Sequence, residues 1–435
     1  MATGSQPDAL DRPMLNRVLV SSVVGTAIEW YDFFLYATAS ALVFAKLFFP
    51  SFDPAVGTIA AFGTFAVGYV ARPFGAVFFG HFGDRIGRKA ALVATLMIMG
   101  VATFIIGILP TYETIGSWAP ALLILMRFCQ GLGVGGEWGG AVLLVVESSP
   151  GGKRGFYGSF PQLGVPIGLL LSTGVFALVS KLPEDQFLSW GWRIPFLLSV
   201  ALIAIGLFIR LRVVESPVFA EARAARTVSR APLIELFRRH PREIFLALGT
   251  RFATDITFNV INVFMLAYGT QQLGLSRGFF LNAILAGCAI ELFTLPLFGK
   301  LSDRIGRRTV YLIGAVFVAL YGFVFFQLVE TRDPVFIVLA YIGGMALSQA
   351  SVYAVQSTWF AELFGTQVRY TGASLPYQIA GIVTSGPAPL ISAWLFATYK
   401  TTWPIAGYIA VTAAVSLACA CFLAETFRRD LSASA

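Results

Sequence analysis

The sequence predicts an all-α polytopic membrane protein of twelve transmembrane helices, arranged as two pseudo-symmetric six-helix bundles. Three observations carry this. Of 435 residues, 57% are hydrophobic and 12% charged, and the mean hydropathy is +0.76; a soluble domain has about twice that charged fraction. Apolar runs of about 20 residues, the length that crosses a bilayer as a helix, recur along the chain, where a β-barrel would show short alternating segments. One loop motif also occurs twice, as "GHFGDRIGRKAAL" from Gly80 and "GKLSDRIGRRTVY" from Gly299.

Hydropathy places the helices at residues 18–47, 55–80, 89–110, 119–147, 155–180, 192–212, 242–270, 278–299, 309–329, 334–361, 370–397 and 402–424. The expected domains are a cytoplasmic tail (1–17), a six-helix bundle (18–212), a linker (213–241), a second six-helix bundle (242–424) and a short cytoplasmic tail (425–435). No cleavable signal is expected, because the first residues are polar and the first apolar run is too long for a signal core. Arg and Lys crowd the even-to-odd connections and the linker (Arg223, Arg226, Arg230, Arg238, Arg239, Arg242). That bias puts both termini in the cytoplasm. It also explains the net charge of +8 without nucleic acid, by an anionic inner leaflet.

Helix 1 contains Glu29 and Asp32, three residues apart, with Tyr36 on the same face. Counted from residue 18, the two carboxylates lie about 16 and 21 Å along the helix, near mid-membrane. Ionisable residues at that depth face the bundle interior and mark ion or substrate paths. Two readings stand: one carboxylate carries a transported proton, or the pair is a fixed ion pair locking helix 1 to helix 4. Helix 2 contains Arg72, expected to snorkel or to make a gate contact. The following loop, Asp84-Arg85-Ile86-Gly87-Arg88, is a candidate cytoplasmic gate.

Helix 4 carries Arg127, Gln130 and Glu137 within "RFCQGLGVGGEWGGA", where glycines permit close helix packing. Arg127 can grip a substrate carboxylate with its fork, or pair with Asp32 or Glu29. Glu137 is a further proton candidate. At the end of helix 4, Glu147 and Arg154 match Glu362 and Arg369 in the second half, and "SFPQ" from Ser159 matches "SLPY" from Ser374. Two halves in the same order make a parallel repeat. Helices 5 and 11 supply Gln162, Tyr377 and Gln378 beside Pro161 and Pro376; they either line a cavity or satisfy backbone groups freed by the prolines.

Helix 7 carries Arg251, Asp255, Asn259 and Asn262, one polar stripe at steps of four, four and three. Helix 8 has Glu291 at the position equivalent to Arg72, each eight residues before the repeated glycine. The second loop offers Asp303, Arg304 and Arg307 to the same gate. The four cysteines lie in apolar runs with no CxxC pair, and the two histidines are far apart, so no metal or other cofactor is expected. Nor does the chain offer a catalytic cluster or phosphate loop, which excludes the membrane-enzyme class.

The paired D-R-x-G-R loops resemble the signature loop of the major facilitator superfamily. Together with "GTAIEWYDFFLY", "RPFGAVFFGHFGDRIGRK", "RFCQGLGVGGEWGGA", "ESPVF" (Glu215–Phe219) and "VRYTGAS", they resemble its metabolite:proton symporter family over residues 17 to 427. The resemblance implies the major facilitator fold in a bacterial inner membrane, with alternating access and proton-coupled import of a small organic acid or related metabolite. Family substrates include shikimate, α-ketoglutarate, citrate and proline/betaine. The implied partners are a small, anionic substrate, protons and membrane lipids. The proline/betaine branch carries a long C-terminal helical extension, so the end at Ala435 favours the shikimate-like members. The remaining alternatives are a compatible-solute symporter, an exporter, for which "GVPIG" in helix 5 is a weak match, and a sensor built on the transporter fold.

Overall fold

The computed structural model describes residues 12–86, 88–135, 138–212, 232–364 and 368–429. The described residues are helical, with no strand among them. Inside a bilayer a spanning segment must satisfy its own backbone groups, and a helix does so within itself.

The spans are α1 (Leu15–Phe48), α2 (Pro54–Ile86), α3 (Arg88–Ile108), α4 (Trp118–Val134, continued by Trp138–Ser148), α5 (Arg154–Val179) and α6 (Glu184–Phe208). In the second bundle they are α7 (Pro241–Gln271), α8 (Arg277–Ile305), α9 (Arg307–Glu330), α10 (Pro334–Leu363), α11 (Thr371–Tyr399) and α12 (Trp403–Phe422). A short helix, Pro232–Arg239, precedes α7 and buries Leu236. Large apolar side chains face outward along the spans: Phe293 is 77% exposed and Leu320 66%. Lipid covers such side chains in a membrane, while the interior is packed with aromatics such as Phe33, Phe44, Phe62 and Trp192.

The packing repeats. α1 lies on α5 and α2 on α4, as α7 lies on α11 and α8 on α10. The bundles meet along two matching seams, α5 on α8 and α2 on α11. Close approach needs small residues: a Cβ on Gly135 would collide with the Arg72 carbonyl, and Gly155 and Gly299 lie against each other's backbone across the α5–α8 seam.

The helices are less regular than their hydropathy predicts. Wider π turns interrupt α1 at Ser40–Phe44, α7 at Val260–Phe264 and α10 at Gly343–Gln349. The expected continuous helix over 370–397 breaks at 384–386, where Gly386 and Pro387 restart it. A proline has no N–H to continue the preceding turn.

Candidate functional site

A small cavity lies where the bundles meet. The first bundle contributes Trp30, Tyr69, Arg72 and Val165. The second contributes Arg251, Asp255, Phe258 and Asn259 from α7, Gln349 and Tyr353 from α10, and Tyr377, Gly381 and Ser385 from α11.

The helix 7 stripe enters the wall at four-residue steps. Arg251 forms an ion pair with Asp255, and its Nη1 donates to Gln356 Oε1 at 2.6 Å. Its guanidinium lies 4.1 Å from the Tyr377 ring centre. The other Asp255 oxygen accepts from Thr384 at 2.8 Å. Asn259 donates to the Asp255 carbonyl and lines the cavity. Asn262 does not: it falls in the π turn and donates to the Phe258 carbonyl at 3.0 Å. A π turn advances fewer degrees per residue than an α turn, so the stripe swings off the cavity there.

Arg72 departs from expectation. It does not snorkel: it is 2% exposed and lines the cavity. Its guanidinium stacks against Phe33 (4.5 Å), Tyr69 (4.4 Å) and Trp30 (5.4 Å), while Nε and Nη2 have no hydrogen-bond partner. Its equivalent, Glu291, is 1% exposed, so it does not snorkel either, and its Oε2 is unpartnered. The missed signal for Arg72 was Tyr69, one turn away on the same helix face.

Arg127 lies outside the cavity wall. Its guanidinium is held by Phe33 (4.2 Å), Tyr36 (4.3 Å) and Phe65 (4.8 Å). Nε donates to the Phe65 carbonyl at 3.4 Å and Nη1 to Gln130 Oε1 at 3.0 Å. Gln130 in turn donates to Thr103 Oγ1 at 2.8 Å, and Thr103, whose own hydroxyl donates to the Met99 carbonyl, is a neighbour of Asp32. Among the described residues Arg127 forms no ion pair, so the anticipated direct contact with Asp32 is replaced by a Gln130–Thr103 bridge. Asp32 is 2% exposed with Oδ1 unpartnered, and Glu29 is 7% exposed one turn away. Tyr36 donates to Thr64 at 2.7 Å. The Phe33 ring contacts both Arg72 and Arg127, joining this cluster to the cavity. Thr103 was not singled out from the sequence, because a lone threonine in an apolar run carries no pattern.

Gln162 and Gln378 tie the bundles together. They donate to the Tyr353 and Gly135 carbonyls at 3.3 and 3.0 Å, both across the seams. At the end of the molecule carrying the repeated loops, Asp303 accepts from the Gly155 and Phe156 amides at 2.8 and 2.9 Å. Arg307 binds Asp303 and Glu362. Arg369 pairs with Glu147 at 3.1 Å across the bundles, and Arg154 donates to the Arg429 carbonyl. Of the two repeated acid–Arg pairs, Glu147 thus takes its arginine from the other copy, while Glu362 is bound by Arg307 of its own bundle. Arg304 is exposed with no partner among the described residues. The side chains of Asp84, Arg85 and Arg88, and all of Glu137, lie outside the described residues. At the opposite end Glu184 binds Lys46 at 2.8 Å and also Arg277 of the other bundle, and Thr58 meets Gln271 at 3.1 Å. Contacts between bundles thus occur at both ends of the molecule.

The family model for "sugar (and other) transporter" matches residues 18–235 and again 218–434, one match per bundle. The chain belongs to this family of the major facilitator superfamily. This transporter is 44% identical over 404 residues to the shikimate transporter of Escherichia coli (strain K12), covering 92% of each chain. It is 42% identical to the inner membrane metabolite transport protein YhjE of the same organism, covering 96% of each. The proline/betaine transporter of that organism is 33% identical, with 97% of this chain and 86% of that one covered. A crystal structure of a D-xylose-proton symporter superimposes with a TM-score of 0.73 at 18% identity, covering 94% of this chain and 98% of that one. The last likeness concerns the fold alone. The protein is a membrane transporter and not an enzyme.

Proposed function

We propose that this transporter is a proton-driven symporter that imports a small organic acid across a bacterial inner membrane, with both termini in the cytoplasm. The observation that carries the reading is the cavity: it lies between two bundles that contact each other at both ends of the molecule, and it offers two guanidiniums against one carboxylate. Such a cavity admits solute from one side at a time as the bundles rock about it. The surplus positive charge favours an anion. The 44% identical relative is named for shikimate, a carboxylic acid, which agrees.

In this reading Asp32 carries the proton, with Glu29 beside it. Protonation and substrate binding communicate through Thr103, Gln130, Arg127 and the Phe33 ring. Asp303, Arg307, Glu147, Arg369 and Glu362 form the cytoplasmic gate. Glu184 and Arg277 close the outer end. The test is uptake into proteoliposomes with an acidic exterior, using shikimate as the labelled probe. Accumulation should collapse on adding a protonophore. If uptake is equally concentrative without a proton gradient, symport is wrong; if only glycine betaine enters, the organic-acid class is wrong.

A further inference from the structure

We propose that Arg72 is the carboxylate anchor of the central cavity, and that the transported substrate is a hydroxylated monocarboxylate. This rests on the organic-acid reading and goes beyond it by naming the anchor and the class of acid.

Three cations lie in or near the site, and their partners separate them. Arg251 has its fork taken by Asp255 and Gln356, with only Nε unpartnered. Arg127 lies outside the wall and is engaged with Gln130 and the Phe65 carbonyl. Arg72 alone lines the cavity with a free N–H edge, Nε and Nη2, while 98% of its surface is shielded. A buried guanidinium with unmet donors is costly, and a carboxylate meets such an edge with two parallel charge-assisted bonds. The Trp30, Phe33 and Tyr69 ring centres lie 4.4–5.4 Å from the guanidinium carbon, and these contacts hold the group in place without supplying an acceptor to Nε or Nη2.

The charge count then limits the substrate. Arg72 and Arg251 against Asp255 leave one net positive charge in the wall. One carboxylate neutralises it. A second would be buried without a partner, and a zwitterion would place its cation against a wall already positive. Gln349 lines the cavity with its Oε1 lacking a hydrogen-bond partner, and Asn259 lines it from α7. An unmet acceptor calls for a donor, which a substrate hydroxyl supplies.

The test uses the purified full-length protein, with calorimetric binding of shikimate, succinate and glycine betaine to wild type, Arg72→Lys and Arg72→Gln. Wild type should prefer shikimate. Arg72→Gln should weaken it about 100-fold, and Arg72→Lys should recover part of that loss, since a lysine keeps the charge but not the fork. The ligand-free melting temperature of Arg72→Gln should be no lower than wild type, because an unmet buried charge has been removed; this separates anchoring from a structural role. Unchanged shikimate affinity in Arg72→Gln, with wild type binding it, overturns the anchor and leaves the organic-acid reading standing. Tighter binding of succinate than shikimate to wild type overturns the monocarboxylate class. If neither acid binds wild type, both readings fall.

Discussion

In the proposed symport, Asp32 and Arg127 are the residue pair on which coupling would depend, and two side chains rather than a direct contact lie between them. Thr103 Oγ1 accepts from Gln130 and its own hydrogen points at the Met99 carbonyl at 2.9 Å. A protonated Asp32 can therefore donate to Thr103, whereas an ionised Asp32 must turn that hydroxyl around. Asp32→Asn should abolish accumulation driven by a proton gradient while keeping substrate counterflow, which needs no net proton movement. Loss of counterflow as well would place Asp32 in substrate binding instead. Gln130→Leu cuts the bridge and strands the Arg127 Nη1 and Thr103 partners; proton-driven uptake should fall about tenfold, with substrate affinity changed far less. The polar cluster of Arg127 and Gln130 on helix 4 was legible in the sequence. The bridge was not, because it depends on Thr103 from α3, and helical periodicity says nothing about which helix stands opposite. Arg72 was misplaced for a related reason: position along a helix does not give depth within a bundle.

Among the elements, the entry to α5 is where one bundle caps the other. The Gly155 and Phe156 amides are unpaired donors at a helix N-terminus, and the Asp303 carboxylate from α8 accepts both. A negative charge there is favourable by roughly 0.3–1 kcal/mol through the helix dipole alone. Arg307 holds Asp303 in place at 2.8 Å. Asp303→Asn keeps the shape but loses the charge, so the end carrying the repeated loops should open more often. A cysteine at Ser159, buried beside Gly299 in this seam, should then be alkylated several-fold faster than in the Ser159→Cys protein alone. Equal rates would mean that the cap does not hold the gate. The repeated loop was visible in the sequence as a motif and a spacing. Its use was not, since Asp303 binds backbone amides, which have no sequence signature. The π turns in α1 and α7 were likewise invisible: an apolar run looks the same whether its turns are α or π. Yet they fall at equivalent places in the two bundles, and the one in α7 decides that Asn259 faces the cavity and Asn262 does not.

At the scale of the whole molecule, transport requires that one closure break while the other holds, so the two must be of comparable strength. The twelve spans and the parallel repeat were legible from length, hydropathy and a duplicated motif, because the membrane admits few alternatives. The state of the gates was not, because it rests on contacts between bundles far apart in sequence. The outer closure has unequal parts. Lys46 and Glu184 are 56% and 53% exposed and belong to the same bundle, so their pair contributes about 0–1 kcal/mol and does not join the halves. Arg277 is 17% exposed and comes from the other bundle. Besides Glu184 it reaches the Ser180 and Leu182 carbonyls at 3.3 and 3.2 Å, and its guanidinium lies 3.9 Å from the Phe187 ring centre. Glu184→Gln therefore removes one of several bonds across the seam, while Arg277→Ala removes every bond that Arg277 makes and leaves only Thr58–Gln271 among the described polar contacts between the bundles at this end. Spin labels at the outer ends of the two bundles should show a longer-distance population that grows from wild type to Glu184→Gln to Arg277→Ala. Lys46→Ala should resemble wild type. If Arg277→Ala leaves the distances unchanged, the outer seam is held by the apolar packing of α2 on α11, and the charged latch is incidental. The predicted order follows from burial and from which bundle each partner belongs to. It also bears on transport, because a weakened outer latch destabilises the inward-facing state, and should slow the passage of the loaded carrier to the inward side and lower the turnover of uptake.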